Sequence, residues 1–136
     1  MKTSKELMKQ AGLVPKLRLA VKTQGKGTQG TGPHTVRLIE DKIVKAIDYD
    51  TNKPVEKVRY FVEENGEKKQ YDTRLKSKDT GELSYFVQRM SEIPEGEEVT
   101  LEFKRAGVRG YIEITWDGYT ERVDERVDTE DEEIID

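Results

Sequence analysis

The sequence predicts a mainly β fold: a small five-stranded barrel with one helix between its third and fourth strands. Three observations carry that expectation. From residue 35 onward the pattern is that of strands, and over 57–63, 68–76, 99–103 and 112–116 apolar residues recur at every second position, the period of a half-buried strand. One stretch, residues 83–93, breaks that period with helical spacing. A chain of 136 residues that is 33% hydrophobic and 38% charged has material for one compact core and not for two domains.

The elements follow in order. Thr3 and Glu6 form a capping box for a short helix over residues 3–11, which Gly12 ends. Leu17 to Val21 reads as a short edge strand. Residues 24–33, QGKGTQGTGP, hold four glycines and one proline and no bulky apolar residue, the composition of a flexible loop. Val36 to Ile47 is a long extended stretch with a bulge or break expected near Glu40-Asp41. Asp50 to Pro54 is a turn. Lys57 to Glu63 alternates, with Val58, Tyr60 and Val62 on one face and Arg59 and Phe61 on the other. Asn65-Gly66 marks a two-residue hairpin that demands positive φ. The returning strand, Lys68 to Lys76, sets Tyr71, Thr73 and Leu75 against Gln70, Asp72, Arg74 and Lys76. Asp79 and Glu82 cap a helix whose apolar edge is Leu83, Phe86, Val87, Met90 and Ile93. Val99, Leu101 and Phe103, then Ile112, Ile114 and Trp116, form the last two strands about a turn at Ala106-Gly107. The expected units are thus a basic arm over 1–34, a barrel over 35–118 and a disordered acidic tail over 119–136.

Composition removes several functions. With no cysteine there is no disulfide framework, thiolate zinc site or cysteine nucleophile, and one histidine, His34, excludes a multi-histidine metal centre. No apolar run approaches the roughly 18 residues of a membrane span, and no apolar signal region opens the chain. The expected setting is cytoplasmic, or host cytoplasm if the chain is viral.

Charge is divided along the chain. The net charge is −4, yet residues 1–37 carry eight basic residues against one acid, a local +7, while residues 117–136 carry ten acids against two arginines, a local −8. A basic arm joined to an acidic tail suggests a polyanionic partner, with the tail competing for the same surface.

The order strand, hairpin, strand, helix, hairpin resembles that of the small OB-fold single-stranded DNA-binding proteins of bacteria and their phages. The resemblance spans residues 35–116 by element order and the tail by composition. It implies stacking of bases on aromatic side chains and tracking of the backbone by cations. The stacking candidates are Phe61 and Tyr111, then Tyr49 and Trp116. The phosphate-contacting candidates are Arg59, Arg74, Lys76, Lys104, Arg105 and Arg109, with Lys16, Arg18, Lys22 and Lys26 of the arm wrapping the strand. The tail of such proteins docks onto replication and repair partners. Here Glu132, Glu133, Ile134, Ile135 and Asp136 would do so, although the chain lacks the proline and aromatic tip of that family. The expected partner is single-stranded DNA, with RNA as the alternative strand, and no cofactor is implied.

Two rival readings come from other classes. Asp48 and Asp50 form a D-x-D that can hold Mg²⁺ for phosphoryl chemistry, but it precedes a turn, where aspartate is common. His34 has no nucleophile beside it in sequence, and an enzyme is not expected. A phage or mobile-element module that binds a host or virion protein fits the tail but gives the basic arm no role.

Overall fold

The longest element, His34–Asp48, organises everything around it. In the computed structural model, which describes residues 14–25, 27–78, 80–106 and 109–123 and the backbone of 132–135, two short strands precede it, β1 (Ala20–Thr23) and β2 (Gly27–Gly30). It is β3, and it is followed by β4 (Lys53–Glu64), β5 (Glu67–Arg74), a helix α1 (Tyr85–Ser91), β6 (Glu98–Ala106), β7 (Arg109–Trp116), β8 (Tyr119–Val123) and β9 (Glu132–Ile135). The helix expected over residues 3–11 lies outside the described residues, as do Lys26, Asp79 and Asp136. Among the described residues no helix is long and apolar enough to cross a membrane.

All pairings between named strands are antiparallel. β1 and β2 form a separate ribbon, and the large sheet runs in the order β5-β4-β3-β6-β7-β8, with β9 added to β3. The same edge of β3 therefore pairs with β6 at one end, over His34 to Arg37, and with β9 at the other, over Lys45 to Asp48. Along its opposite edge β3 pairs with β4, and the register shifts between Leu38 and Glu40. Ile39 is the extra residue of that bulge, beside the expected irregularity at Glu40-Asp41. Among the described residues no pairing joins β5 to β7 or β8, so the sheet is not closed by strand pairing.

Alternation places the core on one face. Val58, Tyr60 and Val62 of β4 meet Tyr71 of β5, Val99, Leu101 and Phe103 of β6, Ile112 and Ile114 of β7 and Val123 of β8 in a single apolar cluster. The helix lays Phe86, Val87 and Met90 into it, and Phe86 packs its ring against Tyr60 at 5.7 Å and Tyr71 at 5.5 Å. That helix is shorter than expected. Its N-cap is Ser84, whose hydroxyl accepts the Val87 N–H at 3.2 Å, and not the Asp79/Glu82 box. Leu83 falls before it, bridged to Lys76 and 43% exposed.

The hairpin at Asn65-Gly66 has the expected left-handed pair, φ 52° and 80°. Asp117-Gly118 repeats it at 50° and 81° and turns the chain back into β8. Tyr119–Val123 is thus an ordered strand of the sheet and not the start of a disordered tail. Glu132–Ile135 likewise pairs with β3, and residues 124–131 lie outside the described residues.

The arm is also less separate than its composition suggests. Leu17 and Leu19 are 4% and 1% exposed and belong to the core. The Leu17 N–H donates to the Gln70 carbonyl, and the Gln70 N–H donates to the Pro15 carbonyl, so residues 15–17 cap the outer edge of β5. The chain then crosses to β6. Part of the expected glycine-rich loop, Gly27–Gly30, is the strand β2, and Gly30 lies so close to β6 that a Cβ there would strike the Phe103 carbonyl oxygen.

Candidate nucleic-acid interface

Most of the predicted binding residues fall into two groups that packing sets apart. The first group lies on β4 and β5 and is largely buried. Arg59 donates from Nε to Asp72 Oδ1 at 3.0 Å, with side-chain exposures of only 10% and 9%. Arg74 donates from Nη2 to Asp48 Oδ2 at 2.9 Å. That hydrogen bond holds the Asp48 carboxyl below its ordinary range against the opposing effect of burial. Phe61 is 9% exposed, with the Lys68 amine 4.8 Å and the Lys42 amine 5.7 Å from its ring centroid. Arg59 and Phe61 were expected on an open binding surface. Register explains the difference: Arg59 stands across from Asp72, so an ion pair forms and both side chains lie down on the sheet.

The second group lies where the β1–β2 ribbon meets the β6–β7 hairpin. Arg105 Nη1 donates to the Thr28 carbonyl at 3.1 Å, and Lys22 stands directly across from Thr28 in the ribbon. Lys104, Arg105 and Arg109 are exposed, and so is Lys22. Lys104 shares a cross-strand row with Tyr111 and pairs with Glu113 at 3.2 Å, which raises its pKa. The Arg122 guanidinium covers the Tyr111 ring at 3.9 Å from its centroid. The arm cation Lys22 and the hairpin cations, far apart in sequence, are thereby brought to one end of the sheet.

Arg122 lies in the span that composition assigns to the acidic tail, and the structure puts it in β8. Its signal was the Asp117-Gly118 pair, which makes Thr120 and Arg122 the outer positions of a strand whose Val123 is buried. The remaining predicted residues sit apart from this cluster. Trp116 faces the core and is partly buried, with the Arg89 guanidinium 5.5 Å from its centroid. Tyr49 is 54% exposed in the β3–β4 turn, and Lys76 is exposed beyond β5.

The two rival motifs are engaged in structural contacts. Asp48 Oδ1 accepts the Asp50 N–H at 3.0 Å, an Asx turn, and Lys78 donates to Asp50 Oδ2 at 3.2 Å. Among the described residues no group of three or more His, Asp or Glu is placed to hold a metal ion. His34 joins the arm to the β4–β5 hairpin: Nδ1 lies 2.7 Å from Glu64 Oε2 and Nε2 lies 2.6 Å from the Thr31 hydroxyl. Lys69 donates to the other Glu64 oxygen at 2.6 Å. Burial pushes the Glu64 carboxyl up, and the hydrogen bonds from Lys69 and His34 outweigh it and hold the carboxyl below its ordinary range.

No protein-family model, curated protein or solved structure matches this chain.

Proposed function

We propose that this protein binds single-stranded nucleic acid, DNA in preference to RNA, without sequence specificity and without catalysing a reaction. The observation that carries the reading is the grouping, at the β6–β7 hairpin end of the sheet, of Lys104 and Arg109 beside the Arg-covered Tyr111 on the outer face with Arg105 and Lys22 at the adjoining ribbon. Cations so grouped release counterions from a phosphate backbone whatever the net charge of the chain, and an aromatic ring between them offers a stacking surface for any base. The order of strands and helix from β3 to β7 is the order expected for an OB-like barrel. In this reading the curved sheet is a partly open barrel, and the segment from Pro15 to Leu17 lies along the β5 edge that strand pairing leaves open. The strand would then cross β6 and β7, and Arg59, Phe61 and Arg74 would support the face and not touch the ligand.

The reading is tested by charge reversal of the cluster. In a mobility-shift titration with a 30-nucleotide single strand, Arg105→Glu with Arg109→Glu should weaken binding at least tenfold. Lys76→Glu, remote from the cluster, should change it less than threefold. Equal losses in both variants would remove the β6–β7 end as the interface.

A further inference from the structure

One edge of β3 is long, and only its ends are paired. Beyond Leu38, whose backbone bonds to Glu97 and Gly96, no described strand pairs with Ile39 to Val44 on the side facing away from β4. Lys45 to Asp48 of the same edge is taken by β9, in the register Lys45 to Ile135 and Asp48 to Glu132. The edge therefore offers a run from Ile39 to Asp48, of which the chain's own segment covers four positions. Edges of this kind are templates for another strand, and natural proteins ordinarily blunt or cover them. The uncovered part is not blunted by proline, and Ile43 on it is 58% exposed.

We infer that this β3 edge is a strand-addition site for an extended segment of a partner protein, and that residues 132–135 are its intramolecular placeholder. The occupant's chemistry is read from the placeholder: two acids followed by two β-branched apolar residues, Glu132-Glu133-Ile134-Ile135, without proline. Lys45 is exposed beside the placeholder's acids, whereas the uncovered stretch carries Glu40 and Asp41 as well as Lys42, so the part of the occupant that pairs with it is uncharged. A partner strand that pairs with Ile39 to Val44 as well as with Lys45 to Asp48 makes more main-chain hydrogen bonds than the four-residue β9 and so displaces it. Main-chain hydrogen bonds supply the affinity, and alternate side chains supply the selectivity. This inference does not depend on nucleic-acid binding.

The test uses the full chain and a fluorescent peptide of residues 128–136, together with the same peptide lengthened by Thr-Val-Thr-Val-Thr at its C-terminus. Glu133→Pro with Ile134→Pro removes two adjacent N–H groups, one of which must face β3 in an antiparallel ladder, and so opens the edge. Lys45→Cys with Ile135→Cys places two cysteines directly opposite each other in a chain with no other cysteine. Opposed residues lie about 4.5–5.5 Å apart between Cα atoms, within disulfide reach, so oxidation should lock the placeholder in place. Expected are binding of the peptide to the proline variant at least tenfold tighter than to the wild type, no binding to the oxidised cysteine variant, and tighter binding of the lengthened peptide than of the short one. Failure of the proline variant to bind, equal binding by all three proteins, no gain on lengthening, or a cysteine cross-link between two chains would each overturn it.

Discussion

Arg59 and Arg105 are the same residue type on two strands of one sheet, and their neighbours give them opposite roles. Arg59 faces Asp72 across the β4–β5 ladder with both side chains about nine-tenths buried. Truncating one partner of such a pair strands the other charge, at a cost of about 3–5 kcal/mol. Arg59→Ala should therefore lower stability by that order in urea unfolding, with the double change Arg59→Met and Asp72→Leu recovering most of the loss. Arg105 instead reaches across to the Thr28 carbonyl from an exposed position, and its removal should cost affinity and little stability. Glu64 sets the response to acid. Its carboxyl is held below the ordinary glutamate range by Lys69 and His34 despite burial, so its contribution to stability is fully present above that range. It is lost as pH falls through the lowered folded-state value. In urea unfolding followed from pH 7 to pH 3, Glu64→Gln should be less stable than the wild type at pH 7 by about 1–3 kcal/mol, and the gap should narrow toward pH 3. A constant gap across that range would place the acid sensitivity elsewhere.

At the scale of elements, the ribbon β1–β2 depends on a glycine at the point of contact. A Cβ at Gly30 meets the Phe103 carbonyl oxygen, which is backbone and cannot swing away. Gly30→Val should lift the ribbon from β6, expose Ala20 to Gly30 to limited proteolysis and weaken nucleic-acid binding several-fold, because Lys22 would no longer stand beside Arg105. Retained protection of the ribbon would separate it from the interface. This element also marks where the sequence was hard to read. Period-two alternation identified β4, β5, β6 and β7, and Asn65-Gly66 located its hairpin, since local sterics decide both. The ribbon strand β2 contains Gly27, Thr28, Gln29 and Gly30, which carry no apolar pattern, and its pairing is decided by the ribbon lying on β6. Helix α1 began later than its capping pattern suggested because Ser84, nearer the apolar face, made the capping bond to Val87. β8 was legible in Asp117-Gly118 and was obscured by the acids that follow it. The candidate site is half legible: alternation sets Arg59, Phe61 and Tyr111 off the core face, but which cations pair off depends on cross-strand register, as Arg59 with Asp72 shows.

For the whole molecule, the division of charge acquires a spatial form. Lys22 of the basic arm meets the β6–β7 hairpin through the ribbon, and Glu132–Ile135 of the acidic tail pairs with the Lys45–Asp48 end of β3, opposite the end that pairs with β6. A phosphate-binding cluster makes affinity depend on salt, each neutralised phosphate adding about 0.7 to the log–log slope for a single strand. The most direct measurement is fluorescence anisotropy of a labelled oligo-dT titrated with the wild-type protein at two salt concentrations, with duplex DNA and RNA as competitors. Expected is binding that weakens steeply with salt, is displaced by single strands far better than by duplex, and loses about 0.7 of the salt slope in Arg105→Ala. No binding at the lower salt, or displacement by duplex as readily as by single strand, would contradict it.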